Sequence, residues 1–463
     1  MLSSIPTLPN LRILRLECCE AISDPGLALL YRLPCLEELS LAGCDAIGPL
    51  GLGAIGRLTS LRRLNLKACH KVWGLGPLRL LTRLEALDLG WCIAVGNEDA
   101  AAIASLSTLR QLSLGHTEFN DAGLGKLSTL VHLTRLEVGG LRMRDATMAA
   151  LVSVFTELRV LSMERCEGVG DLTAHALRSV SLCSIASAST ATASTTSTTA
   201  TTTTSSSKSP LEDLDLSYTR VTDEGLAALL PHLTRLVRLN LDSCHVGDDS
   251  LCHLHRLPSL QTLDASDTRV GQRSFTAIGR CPRLTQLNLS FTEVNDWGLE
   301  KIARATGLRR LNLDSRHVGD VGMRHVAALP HLEALDLFGS AVTDVGCVEL
   351  AKATRLTSLE VCSGAVTDTG VAHLATLPAL KHLSLSQNWR VTNSAIPALM
   401  RLSGLTALNL SVCRVTSSAV VTLGCLPQLQ VLALAGTRVR PAAVEKLQGM
   451  KADLEVRGVA MPY

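Results

Sequence analysis

The chain has 463 residues, a formal net charge of +2, and a composition that is 46% hydrophobic, 19% charged and only 3% aromatic. A near-neutral chain sets up no global field that would draw it to nucleic acid or to an anionic membrane. No apolar run approaches the roughly 18 residues of a spanning helix, and no basic start with an apolar core and cleavage site opens the chain; a cytoplasmic protein is expected. The odd count of 15 cysteines, without a secretory signal, argues against a disulfide framework. Leucine supplies most of the apolar volume, and such a composition calls first for a search for internal repeats.

The opening stretch IPTLPNL (Ile5–Leu11) has the form of the end of a unit. VAALPHL (Val326–Leu332) and LATLPAL (Leu374–Leu380) each close one unit and lead into the next. Aligned on L-x-x-L-x-L, units begin at Leu11, Leu36, Leu61, Leu84, Leu109, Leu133 and Leu158, at steps of 23 to 25 residues. The next step, to Leu211, is 53; from Leu236 to Leu380 every step is 24, and Leu405 and Leu429 continue the series. A degenerate unit, DLEVRG (Asp453–Gly458), follows, with Lys451, Asp453, Glu455 and Arg457 giving that end a polar finish. At the other end Ile5, Leu8 and Leu11 start the array uncapped, whereas repeat arrays carry polar caps. Capping sequence upstream is the expectation; a contact surface for another chain and a frayed half-unit are the alternatives.

The unit LEDLDLSYTRVTDEGLAALLPHLTR (Leu211–Arg235) shows the anatomy. Leu214 and Leu216 alternate with Asp213, Asp215 and Ser217, the pattern of a short strand buried on one face. Thr222 is placed to cap a helix beginning at Asp223, and Val221 and Leu226 form a hydrophobic staple. Asp223 in the first turn suits the helix dipole. Leu226, Leu229 and Leu230 make the buried helical stripe. A single unit cannot bury its own leucines, so units must stack. Strands stack at about 4.8 Å and helices at roughly 8–10 Å, so the stack curves with strands inside. The expected fold is a right-handed α/β solenoid, with parallel strands on the concave face and short helices on the convex face.

On these motifs the sequence resembles the leucine-rich repeat family over nearly its whole length. Within it, Cys or Thr at the ninth position followed by V-T-D-x-G-L is similar to the repeats of F-box-type substrate receptors and of trypanosomatid leucine-rich repeat proteins. Cys19, Cys44, Cys69, Cys92, Cys166, Cys244 and Cys413 occupy that position, Thr117, Thr219, Thr268, Thr292 and Thr437 occupy it elsewhere, and Asn388 once. The site calls for a small inward side chain that bonds neighbouring backbone, so these thiols are expected to be reduced and inert.

The segment ASASTATASTTSTTATTTTSSSKSP (Ala186–Pro210) has no periodicity and almost no large apolar residue, so disorder is expected. The expected organisation is a first block of repeats over 1–183, the insertion over 184–210, and a second block over 211–463, in one continuous solenoid. The insertion should leave from the convex or rim side. Ser209-Pro210 is a candidate proline-directed phosphorylation site.

Catalysis finds little support. There is no phosphate-binding loop, G-x-S-x-G elbow, H-E-x-x-H or C-x-x-C pair, and CHLH (Cys252–His255) has neither ligand geometry nor a partner cluster. No cofactor or metal is expected. What remains is the strand face, read at the third, fifth, seventh and eighth positions of each unit. Asp213, Asp215, Asp242, Asp264, Asp267, Asp314, Asp336 and Glu360 point there, opposed by Arg238 and Arg310, so an acidic inner surface is expected from Leu211 to about Ser363. Trp91, Tyr218, Phe291 and Phe338 lie on the same columns, and exposed aromatics are common binding anchors. The alternative reading is a solvated wall in which small Asp and Asn fit the crowded inner curve.

The expected function is a monomeric, non-catalytic scaffold that holds a partner protein, preferably a basic one, on its strand face. An acidic wall repels phosphates and argues against DNA or RNA. The resemblance implies two alternatives. One is a substrate-recognition subunit of a cullin-type ubiquitin ligase, although no F-box lies in this sequence. The other is a regulatory module of a signalling enzyme such as adenylate cyclase.

Overall fold

The computed structural model describes residues 8–186 and 209–458. The chain forms two compact units, Met1–His245 and Val246–Tyr463. Among the described residues of the first unit, three-residue strands run from Ile13–Arg15 to Arg238–Asn240, each parallel to the next and in register on the central leucine. In the second unit they run from Thr262–Asp264 to Glu455–Arg457, again parallel and in register. Leu263 pairs with Leu287, Leu287 with Leu311 and Leu311 with Leu335.

The register follows from burial. The leucines at the first, fourth and sixth positions point into the stack; Leu332, Leu335 and Leu337 are all at most 2% exposed. Each such leucine contributes about 1.5–3 kcal/mol. Slipping the strand by one residue would send every leucine to the open face. Each strand is followed by a tight turn and a helical segment. Some of these segments are a single turn, such as Asp24–Leu27; others reach the 16 residues of Asp171–Ala186. Helix Asp223–Leu229 starts where expected, with the Thr222 side chain accepting from the Glu224 N–H at 3.3 Å.

The helix-start aspartate does more than meet a dipole. Asp344 accepts from the N–H and hydroxyl of Thr367 in the following coil, at 2.8 and 2.6 Å, and from the Gly370 N–H at 3.0 Å. Asp320 does the same with Thr343 and Gly346, and Asp171 holds Thr222 in the same way. The motif V-T-D-x-G-L is therefore an inter-coil clasp: Thr donates backward and Asp accepts from the next coil. Glycine is required because a Cβ at Gly346 or Gly370 would run into the preceding coil's aspartate.

The ninth position bonds backbone as expected, in two ways. Cysteine reaches the preceding coil: Cys69, Cys92 and Cys166 donate to the Leu41, Leu66 and Val138 carbonyls at 3.0–3.1 Å. Threonine turns to its own coil, as Thr219 does to the Leu216 carbonyl at 2.6 Å. Asn388 does both, donating to the Val361 and Leu385 carbonyls at 2.6 and 2.9 Å. Burial pushes the Cys92 and Cys413 thiols up to about 12 and the Cys69 and Cys166 thiols to about 11. They stay protonated and unreactive.

The long step between Leu158 and Leu211 does not interrupt the sheet. Strands Val160–Ser162 and Asp213–Asp215, on either side of it, pair directly with Leu161 against Leu214. Two details of the insertion differ from expectation. Residues 184–186 belong to helix Asp171–Ala186, which extends the amphipathic segment into the Ala-Ser run. Ser209 is 5% exposed and its hydroxyl faces the Leu211 N–H, so the Ser-Pro pair packs against the coil and is not an accessible phosphorylation site. The remainder, 187–208, lies outside the described residues, as does Ile5 of the opening stretch.

Candidate protein-interaction surfaces

The strand face is built from the residues that alternate with the leucines, and each unit presents a groove there. In the second unit the groove has a volume of about 330 Å³, with Asp264, Asn288, Arg310, Asp336 and Glu360 in its wall. In the first unit it has about 390 Å³, with Arg15, Glu38, Arg63, Asp88 and Glu137 in its wall.

The two grooves differ in how their charges are partnered. In the first unit Glu38 sits between Arg15 and Arg63, at 2.7 and 3.4 Å; Arg135 bonds Glu137 at 2.8 Å, and Arg238 bonds Asp213 at 2.7 Å. In the second unit, among the described residues, no ion pair reaches Asp314, Asp336, Glu360 or Arg310. Burial pushes the Asp336 carboxyl above its ordinary value against one hydrogen bond from the Phe338 N–H. Burial likewise raises Asp314 and Glu360, and in both the charge of Asp336 adds to the effect. Asp336 thus crowds Asp314 and Glu360 on the adjacent coils, and with Glu360 it lines the partly dry groove.

The fifth-position acids carry a local duty that spacing did not reveal. Asp215, Asp264 and Asp336 each accept from the backbone N–H two residues on, at 3.0, 3.0 and 2.9 Å. Asn288 and Asn409 do the same in other coils. This Asx turn closes the strand. The Asp/Asn alternation thus reflects a shared acceptor oxygen, not only small size. It also corrects the expectation of exposure at two serines of the seventh column. Ser217 and Ser266 are 2% and 6% exposed, because their hydroxyls fold back onto the Asp215 and Asp264 carboxylates.

The eighth column is likewise not on the strand face proper. Trp91, Tyr218, Asp267 and Phe291 all have φ between +49° and +64°, at the left-handed turn that leaves the strand. Their N–H groups extend the inter-coil ladder; Trp91 donates to the Gly115 carbonyl and Phe291 to that of Asp314, at 2.7 and 2.8 Å. The side chains stand along the groove's rim. Phe291 is 71% exposed, while Trp91 stacks on His116 with ring centroids 3.9 Å apart. Arg165 lies over the Tyr218 ring at 5.1 Å. Phe338, at the seventh position, and Asp242 are partly open to solvent. Of the predicted residues, Asp264, Asp336 and Glu360 line the second-unit groove; Asp267, Phe291, Asp314 and Phe338 belong to the same unit outside that lining, and Trp91, Asp215, Tyr218 and Asp242 belong to the first unit, outside the lining of its groove.

The Cys252–His255 segment is held locally: the His255 Nδ1 lies 2.8 Å from the Cys252 carbonyl, and Arg273 donates to the Cys252 sulfur at 3.3 Å. No described helix is long and apolar enough to cross a membrane.

Parallel three-residue strands, repeating leucine registers and helices on the opposite side define a solenoid of repeated α/β coils. Comparison with known proteins agrees. The family model described as a leucine-rich repeat region matches residues 21–333, and a second leucine-rich repeat model matches 7–30 and 328–351. The chain belongs to the leucine-rich repeat family. No curated protein sequence matches it. A leucine-rich repeat protein of Leptospira interrogans is similar in structure, at 18% identity and a TM-score of 0.54, over 98% of both chains. So is the ectodomain of the Arabidopsis thaliana receptor kinase GASSHO1/SCHENGEN3, solved in complex with Casparian strip integrity factor 2. It is 17% identical with a TM-score of 0.54, and the match covers 97% of this chain and 50% of that one. Proteins of this family commonly mediate protein–protein interaction and are generally non-enzymatic.

Proposed function

We propose that the protein is a cytoplasmic, monomeric, non-catalytic scaffold that binds a basic partner protein through the strand face of its second unit. One observation carries the reading: Asp336 and Glu360 line one groove, burial raises both carboxyls and that of the neighbouring Asp314, and the charge of Asp336 raises Glu360 and Asp314 further. A cationic side chain entering the groove would relieve both costs. The rim aromatics Phe291 and Phe338 are the proposed apolar anchors of this interface, while Asp264 and Asp267 extend the acidic strip. Trp91, Asp215, Tyr218 and Asp242 would serve a partner on the first unit.

The test is an anisotropy titration with a fluorescein-labelled lysine-rich peptide. The variant is Asp264→Asn/Asp336→Asn/Glu360→Gln. Asparagine keeps the acceptor that the Ser266 and Phe338 N–H groups need, as Asn288 shows, so only charge is removed. Affinity should fall at least tenfold with unchanged far-UV circular dichroism; an unchanged affinity sinks the reading. A second reading, substrate recognition for a cullin-type ligase, is favoured by the ninth-position cysteines that bond the preceding coil. Copurification of the tagged protein without any cullin or adaptor would dismiss it.

A further inference from the structure

The turn side of the first unit carries a second, oppositely charged feature. A cleft of about 540 Å³ opens there, lined by Arg142, Arg144, Arg165 and Arg220 together with Asp121 and Glu167. All four arginines are exposed at residue level. Asp121 is occupied, accepting from the Arg144 backbone N–H at 2.9 Å and from its Nε at 2.8 Å. Arg165 reaches Glu164 only at 3.5 Å and lies over the Tyr218 ring. Among the described residues, Arg142 and Arg220 make no ion pair or side-chain hydrogen bond, so the cleft holds an excess of positive charge.

The cleft lies beside the eighth column. Along that column Trp91 stacks on His116, and Arg165 stacks on Tyr218. Between the two pairs stands Gly140, at φ +73°, where a Cβ would run into the His116 ring. The His116 ring fills the place a side chain would take there, and Gly140 lines the cleft with its bare backbone beside the arginines.

We propose that this cleft binds an acidic, carboxylate-bearing extended segment of a partner protein. The spread of the arginines favours a run of charges over a single anion. Arg142 and Arg144, Arg165, and Arg220 belong to three successive coils, so they span two inter-strand spacings, about 10 Å. An isolated anion would engage two of them. Alternate side chains of an extended peptide lie about 6.6 Å apart on one face, so two of them fit within that span. Guanidinium forks suit bidentate carboxylate bonding. The protein would then carry an acidic groove on one unit and a basic cleft on the other.

The experiment is an anisotropy titration of full-length protein with a fluorescein-labelled deca-glutamate peptide at low salt. Arg142→Ala/Arg220→Ala is the test variant, since neither side chain makes an ion pair or hydrogen bond to the described residues. Arg390→Ala/Arg414→Ala is the charge-matched control; these arginines flank Trp389 in the second unit, at 4.8 and 5.3 Å from its ring. The expected result is a loss of at least tenfold in the test variant, less than twofold in the control, and a shallower salt dependence in the test variant alone. Equal losses in both variants, no loss in the test variant, no binding by the wild type, or tighter binding of a single-stranded oligonucleotide of equal charge would each overturn the proposal.

Discussion

Asp344 offers the sharpest test of how the coils hold together. It accepts from the Thr367 N–H at 2.8 Å, the Thr367 hydroxyl at 2.6 Å and the Gly370 N–H at 3.0 Å. Asp344→Ala deletes all three acceptor contacts. Hydrogen bonds to a charged group contribute about 1.5–3 kcal/mol each. The site is only part-buried, so water resolvates the hydroxyl and offsets part of the loss. A cost of about 3 kcal/mol is expected. Asp344→Asn should cost only about 1 kcal/mol, because an amide can make the same clasp. Asn393 already does so, its oxygen accepting from the Thr416 N–H at 3.0 Å and its nitrogen donating to the Thr416 hydroxyl at 2.7 Å. Urea unfolding gives the totals. Amide hydrogen exchange gives the location, since each coil contacts only its neighbours and protection should fall first around Thr367 and Gly370. Equal costs for Ala and Asn, or deprotection spread evenly over the second unit, would refute the clasp.

Three further outcomes follow from the same geometry. In native protein, Ellman's reagent should react with the exposed Cys18, Cys35 and Cys425 while leaving Cys69, Cys92, Cys347 and Cys413 untouched until unfolding; rapid native labelling of the buried set would contradict their raised pKa values. Phe291→Gly should raise stability by about 1 kcal/mol by relieving a left-handed non-glycine residue, yet weaken partner binding; a loss of stability would show that the ring is packed rather than displayed. The pH dependence has opposite signs in two places. At Asp248 burial acts to raise the carboxyl pKa, but bonds from Ser274, Arg273 and Gly271 outweigh it and leave the pKa lowered. Its stabilisation is present above the unfolded value of about 3.9 and is lost as pH falls through the folded value. For Asp314, Asp336 and Glu360 the folded pKa is raised, so stability declines as pH rises through the interval above the unfolded value and is level beyond it. Binding of a lysine-rich peptide should correspondingly weaken on acidification before ordinary carboxylates titrate, and a flat profile down to pH 4 would count against the groove.

The fold was legible because its cause is periodic. A leucine register sustained from Leu11 to Leu429 fixes strand, turn and helix in every coil, and the capping role of Thr222 could be read from one unit alone. The third and fifth columns of the strand face were legible, since side chains alternate; the seventh and eighth were not, because serine hydroxyls fold back onto the fifth-position acids and the eighth residue turns left-handed. What spacing could not supply was the partner of each polar atom. Asp336 reads as an exposed acid until its bond to the Phe338 N–H is seen, and Asp344 reads as a dipole complement until Thr367 is found on it. One signal for these was available: Asp and Asn interchange at the fifth position, which marks a shared acceptor rather than a charge. The arginine cleft was not legible, because it draws on residues of three coils, two of them separated by the insertion.

The eighth position separates what the backbone needs from what the surface offers. Every coil that uses this turn needs a left-handed residue whose N–H continues the ladder, and Gly43, Gly140, Gly339 and Gly436 meet that need without strain. At Trp91, Tyr218 and Phe291 a bulky side chain takes the same conformation, at a cost of about 1–2 kcal/mol each. Burial does not offset that cost, for Phe291 is 71% exposed and Tyr218 43%. Trp91 recovers part of the cost by stacking on His116, and Tyr218 by the Arg165 guanidinium over its ring, whereas among the described residues no ring or cation contact does so for Phe291. The exposed Phe291 ring is thus the one whose benefit lies outside the chain under the proposed function, and it is the physical support for placing binding along the rim, with the charged groove beside it setting the sign of the partner.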